Sequence, residues 1–306
     1  MTLTELKYIV AVAREKHFGR AAEGCFVSQP TLSVAIKKLE EELDVKIFER
    51  GAGEVSMTPL GEQIVRQAQV VIEQAATIRE IAKRGKDPVS GPLRLGVIYT
   101  IGPYLLPDLV RIAIDRLPQM PLMLQENFTS KLLDMLRIGD LDCAILAEPF
   151  PDTGLAVAAL YDEPFMAAVP SHHALARRAH VTAEELKNET MLLLGTGHCF
   201  RDHVLEVCPE YARFSSHAEG IRKSFEGSSL ETIKYMVAAG MGVTVVPRLS
   251  VPKDPQPHIV YVPFSEPVPT RRVVLAWRRT FPRYEAIAAL RNVIYACELP
   301  GMARLS

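Results

Sequence analysis

The spacing of apolar positions changes character twice along the chain. Near the start it is helical. Leu3, Leu6, Ile9, Val10 and Ala13 recur at steps that place them on one face, which predicts an amphipathic opening helix. Phe18 to Cys25 predict a second, short helix with Ala21, Ala22 and Cys25 facing inward, so Cys25 reads as a structural thiol. Ser28 then offers a favoured N-cap, and Pro30 is tolerated in the first turn that follows. The helix after it carries Leu32, Ile36, Leu39 and Leu43 on one face and Gln29, Ser33 and Lys37 on another. Short polar side chains at the start of a helix can reach base edges and phosphates in a major groove. The pattern predicts a helix-turn-helix over the first sixty residues.

A longer period takes over at Thr58, which caps a helix with Pro59 at its first position. Ile64, Ala68, Val71, Ala75, Ile78 and Ala82 alternate at steps of four and three, the spacing of a heptad seam. From Thr58 to Arg84 such a helix spans about 40 Å. Two readings of the seam are open: packing against the helix's own domain, or pairing with a second copy. A long narrow seam with charged flanks favours pairing. A two-fold dimer would carry two reading heads and predict a pseudo-palindromic DNA site. The helix should end near Gly85, and Asp87-Pro88 should open a new domain.

From Leu93 onward short apolar runs alternate with helical patterns. Strands are predicted at Leu93 to Ile98, Leu122 to Glu126 and Cys143 to Ala147, with helices at Pro103 to Leu117 and Ser130 to Ile138. This series implies a parallel sheet. Tyr161 to Pro170 reads as a crossing into a second subdomain, which contains strands at Met191 to Leu194 and Val243 to Val246. A helix there runs from Ser229 to Gly240, with Glu231 near its N-terminus. Arg272 to Trp277 returns as a strand before a last helix to about Cys297. The fold class is α/β: a winged helix-turn-helix (1–58), a linker helix (59–88), and a two-lobed α/β domain (89–306). The lobes take 89–163 plus about 268–306, and 164–267.

Composition adds limits. With 306 residues the chain can hold two or three cores, and 48% hydrophobic with 23% charged residues is ordinary for a globular protein. Net charge is −1, so nothing global marks a nucleic-acid binder. The first sixty residues hold eight Lys or Arg and nine Asp or Glu. DNA binding therefore requires segregation, with Lys37, Lys38, Lys46 and Arg50 toward DNA and Glu40 to Glu42 turned away. The sequence shows no signal region, no apolar run near 18 residues, no cofactor motif and no metal-ligand spacing of histidines. It reads as a cytoplasmic protein with no membrane contact, whose five cysteines rest reduced.

The densest chemistry lies in residues 195–210. Gly195 to Gly197 predict a turn, and Cys199 to Val207 a short helix. A helix N-terminus and a neighbouring cation, here Arg201, both favour thiolate over thiol. Cys208 follows nine residues after Cys199, a helical rise of about 13 to 14 Å. A disulfide needs Cα atoms about 4.4 to 6.8 Å apart, so bonding would require unwinding. The plainer reading is two unrelated thiols. Loops that end strands in such sheets are where ligands sit. Three qualify: Tyr99-Thr100-Ile101, Asn127-Phe128-Thr129 and Gly195 to Cys199. Arg271 could project into the same place, and Ser228 with Ser229 would suit an anion. Cys143 and Cys297 read as packing thiols.

Phe18, Ala21, Ala22, Ser28 to Ser33, Leu39, Glu40, Phe48, Arg50, Thr58 and Gly61 are similar to the signature of the LysR-type transcriptional regulators. The likeness runs from Met1 to about Cys297. Gly197-His198-Cys199-Phe200-Arg201-Asp202 resembles the peroxide-sensing members in particular, although His203 stands where those members more often have an amide. The resemblance implies DNA contacts at Gln29, Pro30, Thr31, Ser33, Lys37 and Arg50, and a wing at Gly51 to Met57. It implies a peroxidatic Cys199 and a resolving Cys208, with Thr100, Thr129, His198 and Arg271 positioning hydrogen peroxide. It also implies dimers or tetramers on promoter DNA and contact with RNA polymerase. Two other readings stay open: a regulator binding a small carboxylate between the lobes, and a thiol peroxidase.

Overall fold

The computed structural model describes residues 1–50, 55–83, 89–151, 154–213, 224–227 and 229–305. Two compact units make up the chain. One is Met1–Pro88 with Asp134–Asp142 and Arg278–Glu285; the other is Val89–Leu133, Cys143–Trp277 and Ala286–Ser306.

In the first unit, Thr2 and Glu5 form a capping box that starts helix α1 (Leu3–Glu15). Helix α2 (Phe18–Gly24) starts on His17, whose ring accepts from the amides of Gly19 and Arg20. Helix α3 (Gln29–Leu43) starts on Ser28, whose hydroxyl accepts from Thr31 N at 3.3 Å. Leu6, Ile9, Val12, Ala21, Ala22, Leu32, Ile36 and Leu39 meet in one core, with Cys25 half-buried against it. Leu43 departs from the apolar face and is exposed. It falls in the last turn, past the reach of that core. Strands β1 (Phe48–Arg50) and β2 (Val55–Met57) pair antiparallel as the wing. The wing tip 51–54 and the Arg50 side chain lie outside the described residues.

Glu40, expected to turn away from DNA, turns inward. Its carboxylate is buried and accepts from the amides of Ile47 and Phe48 at 2.8 and 3.2 Å, with Lys46 Nζ at 3.3 Å. It ties the end of the helix to the first wing strand. Lys37 also lies 3.6 Å from Glu41, so acid and base share one face of α3. Both side chains are exposed, and such a pair is worth less than about 1 kcal/mol.

Helix α4 (Pro59–Lys83) begins under Thr58, whose hydroxyl accepts from Gly61 N and donates to Lys46 O. Its seam serves two ends. Ala68 is buried in the core of the head, with Ile64 packed against it, while Val71 and Ile78 stand exposed. Ala82, Gly85 and Asp87-Pro88 lie outside the described side chains. Midway, the buried Glu73 carboxylate pairs with Arg278 and accepts from Thr280. Arg278 in turn donates to the carbonyls of Leu136 and Leu141.

The second unit begins with β3 (Leu93–Ile98), α5 (Gly102–Arg116), β4 (Leu122–Asn127), the start of α6 (Thr129–Arg137), whose end from Asp134 belongs to the first unit, and β5 (Cys143–Ala147). Strands β4, β3 and β5 lie parallel in that order. Strand β6 then runs unbroken from Leu155 to Pro170, six residues earlier than its apolar run suggests. The second lobe holds α7 (Ala183–Leu186), β7 (Met191–Leu194), α8 (Cys199–Val207), β8 (Ser224–Gly227), α9 (Leu230–Ala238), β9 (Thr244–Pro247) and β10 (Ile259–Pro263). The chain returns through β11 (Thr270–Arg278), α10 (Tyr284–Ala296) and β12 (Ala303–Arg304). Strand β6 belongs to both lobes. Its early residues pair with β12, its later ones with β9 and β10, and β11 lies beside it. A core of Phe165, Leu192, Leu194, Phe200, Val204, Cys208, Ile233 and Val245 fills the second lobe.

Gly61 is required by contact rather than by backbone angle. A Cβ there would stand 2.1 Å from the Ile47 carbonyl oxygen, where α4 crosses the strand of the wing. Gly61→Ala should destabilise the protein by about 1 to 3 kcal/mol, the usual range for overpacking. Urea titration of the variant against wild type checks this.

Candidate redox site

Helix α8 begins at Cys199, with His198 as its N-cap, and ends at Val207, with Cys208 as its C-cap. The turn before it needs Gly197, whose φ of +98° would strain any residue with a side chain. Cys199 is half-buried at the helix N-terminus, and Cys208 is fully buried at the other end. All five cysteines are free thiols. An intact helix of this length therefore keeps the two sulfurs at opposite ends, about 13 Å of rise apart. Burial, with Glu210 adding to it, pushes the Cys208 thiol up to about 12. It rests protonated.

Three rings meet at the N-terminus of α8. Tyr99 and Phe128 lie 5.2 Å apart between centroids, Tyr99 and His198 5.9 Å, and Phe128 and His198 4.8 Å. Each ring neighbours in sequence a predicted site residue: Thr100, Thr129 and Cys199. The structure thus brings the three loop ends together, and ring contacts, with Tyr99 and Phe128 given no role in the sequence reading, do it. Edge-on aromatic pairs of this kind are the favoured arrangement.

The two threonines are placed differently from expectation. Thr100 is almost fully buried, and its hydroxyl accepts from Arg271 Nη1 at 2.7 Å. A hydroxyl that accepts one bond keeps its own hydrogen to donate. Thr129 is the first residue of α6 rather than a loop residue. Its Oγ1 is buried with no hydrogen-bond partner among the described residues. A buried hydroxyl left unpaired costs about 1 to 3 kcal/mol, which a small polar guest would recover.

Arg271 is not a surface charge. Its side chain is fully buried; Nε donates to Glu163 at 2.8 Å, Nη2 to Thr100 O at 3.1 Å, and the guanidinium lies 5.1 Å from the Phe200 ring centre. With these bonds in place, Arg271 acts on Thr100 rather than on a guest directly. Arg201 is likewise not a free neighbour for the thiol. It is buried, and Nη1 donates to Leu194 O at 2.9 Å, which fastens the first turn of α8 to the end of β7.

His203 is the position where the chain departs from the pattern. It is buried between Phe200 and Phe165, and its Nε2 donates to Glu148 O at 2.7 Å. The bond ties the second lobe's α8 to the chain just beyond β5. Nδ1 has no partner. Burial holds the imidazole below its ordinary value of 6.5, the Glu148 carbonyl opposes this, and the charge of Arg271 adds to it. Beside the rings lies a cavity of about 350 Å³, lined by Tyr99, Thr100, Tyr104, Glu126, Phe128, His198, Ser229 and Glu231. Neither Cys199 nor Thr129 lines it. Ser229 is occupied as the N-cap of α9, and Ser228 lies outside the described residues. Among the described residues no His, Cys, Asp and Glu converge as metal ligands, and no helix is long and apolar enough to cross a membrane.

A winged reading head on a long helix, followed by a two-lobed α/β domain with a thiol beside its cleft, is the architecture of a one-component regulator that senses a small signal. Residues 3–62 match the bacterial regulatory helix-turn-helix protein, lysR family, and residues 86–296 match the LysR substrate binding domain. A hydrogen peroxide-inducible genes activator of Pectobacterium carotovorum subsp. carotovorum is 39% identical over 292 residues, 94% of this chain and 95% of that protein. A full-length OxyR variant from Pseudomonas aeruginosa is 51% identical with a TM-score of 0.83, covering 97% of this chain and 96% of that one. A hydrogen peroxide-bound mutant of Corynebacterium glutamicum OxyR is 32% identical with a TM-score of 0.63, over 96% and 92% of the two chains. The chain belongs to the LysR family of transcriptional regulators, in its OxyR branch.

Two measurements check this site. Glu163→Gln leaves the Arg271 charge buried without its counter-ion, so unfolding free energy should fall by about 3 kcal/mol or more, read by urea titration. For His203 the folded value lies below the unfolded one, so stability is full above about 6.5 and is lost as pH falls below it. Melting of the reduced wild type should drop between pH 7.5 and 5.5 by more than that of His203→Gln.

Proposed function

We propose that this chain is a cytoplasmic, peroxide-sensing transcriptional regulator switched by Cys199 and Cys208. One observation carries the reading: the two thiols stand at opposite ends of a single helix, Cys199 next to His198 of the ring cluster and Cys208 sealed in the core. The thiolate of Cys199 attacks one oxygen of hydrogen peroxide. An S–O bond forms, the O–O bond breaks, and hydroxide leaves and takes up a proton as water. The sulfur becomes a sulfenic acid. Thr100, held by Arg271, donates its hydroxyl hydrogen, Thr129 supplies its unpaired hydroxyl, and His198 closes the side wall. Preorganised donors of this kind stabilise a departing oxyanion.

Unwinding of α8 then frees Cys208. Leaving the core removes the burial that keeps it protonated, and its thiolate attacks the sulfenic sulfur. The S–S bond forms as the S–O bond breaks and a second hydroxide leaves. Cellular dithiols reset the pair by exchange. One peroxide is consumed per switch, so the output is transcription rather than turnover. The α3 helix, through Gln29, Pro30, Thr31, Ser33 and Lys37, reads a major groove, with Arg50 and the wing alongside. The exposed Val71 and Ile78 of α4 pair two copies over a pseudo-palindromic promoter site. Dimers join into tetramers that engage RNA polymerase.

A small carboxylate effector fits the cleft less well. Glu126 and Glu231 line it, and burial already raises the Glu126 carboxyl above its ordinary range. A neutral peroxide meets no such repulsion. A thiol peroxidase would leave the reading head and α4 without use.

Peroxide-dependent footprinting tests the whole. Cys199→Ser should abolish the change in DNA footprint. Cys208→Ser should still form a sulfenic acid, trapped by a dimedone probe, yet form no intramolecular disulfide by mass spectrometry. A peroxide response retained in Cys199→Ser would end this reading.

A further inference from the structure

Phe26 sits in the turn between α2 and α3. It is 95% exposed, the most exposed large apolar side chain among the described residues. Its neighbours Cys25 and Val27 both pack against the head's core, and Phe26 does not. Its backbone is left-handed, with φ at +56°. The reason lies in how α2 stops. The amide of Val27 bonds to Ala22 O and that of Phe26 to Glu23 O, both at 3.0 Å, which is a Schellman motif with Phe26 at the left-handed position. Glycine or asparagine suits that position, whereas a bulky residue is strained there. The chain thus accepts strain and gains no burial at one and the same residue. Two residues on, Ser28 caps the reading helix, and Ser28, Gln29, Pro30 and Thr31 are all exposed beside it. Sites that break a local rule without a folding gain are where function is found.

We propose that Phe26 contacts DNA, laying its ring on an apolar part of the duplex at the edge of the groove that α3 reads. The chemistry is a thymine methyl or the face of a deoxyribose. The proposal rests on the DNA-reading role of α3. A contact of this kind adds affinity for the chosen site but neutralises no phosphate, so it leaves the salt dependence of binding untouched.

The test uses the full chain and a duplex enriched by it from a random-sequence pool. Binding is read by fluorescence anisotropy for wild type, Phe26→Asn and Phe26→Gly. Both substitutions fit the left-handed turn, so melting temperature should hold or rise. Affinity for the enriched duplex should fall about fivefold to tenfold, in line with partial loss of a buried phenyl. The slope of log affinity against log salt should stay unchanged. Replacing each thymine in turn by deoxyuridine separates the two contacts. A wild-type loss at one thymine that is absent in Phe26→Asn identifies the methyl; no loss at any thymine identifies the sugar. Wild-type affinity in both variants overturns the proposal while leaving the reading role of α3 intact. A wild-type chain that enriches no duplex removes both.

Discussion

A continuous helix and a bond between its two ends exclude one another. Residues 199–207 form α8, and its geometry sets the sulfurs about 13 Å apart along the axis. No rotation of side chains closes that gap. Everything that fastens α8 therefore also resists oxidation beyond the sulfenic stage. The fastenings are spread along it: Arg201 to Leu194 O, Phe200 against Phe165, His203 to Glu148 O, and Cys208 N to Val204 O at the far end. Past Cys208, Tyr211 donates to the carbonyls of Leu186 and Glu189. In the proposed switch each tether favours the reduced form, and the disulfide must exceed their sum, which would weaken it relative to a bridge in a relaxed fold.

The same fastenings divide the labour between sensing and reporting. Tyr99, Thr100 and Phe128 follow strand ends of the first lobe, and His198 meets them from the start of α8 in the second. The part that the proposed switch would move, α8 with its buried Cys208, is a short helix of the second lobe. Arg271 joins the two concerns. Its guanidinium orders the Thr100 hydroxyl on one side and lies over the Phe200 ring of α8 on the other. A rearrangement of α8 removes that ring and alters the surroundings of the arginine.

Sequence reading reached the helices best. The limits of α8, the capping of α3 by Ser28 and the strands at Leu93 and Cys143 were legible, because caps and periodicity are local. Legible too were the loop positions of Thr100 and Phe128 after β3 and β4, although not the contacts made there. The bond from Arg271 to Thr100 joins residues 171 apart in the chain, and no periodicity carries such information. Unread as well was the tie from Glu40 to the amides of Ile47 and Phe48, seven and eight residues on at the start of a wing strand too short to announce itself. Strands β8, β10 and β12 went unread. The last is two residues long, and the others follow stretches with no clear alternation.

Strand β6 has one further consequence. Sixteen residues of unbroken backbone serve both lobes at once, with β11 beside them. A clamshell that opens and shuts on its cargo needs a pliable crease, and a shared strand in a hydrogen-bonded ladder makes a stiff one. The domain is accordingly built less like a trap than like a frame around a fuse: under the proposed switch the frame would keep its outline, and the message would be the melting of one small insert within it.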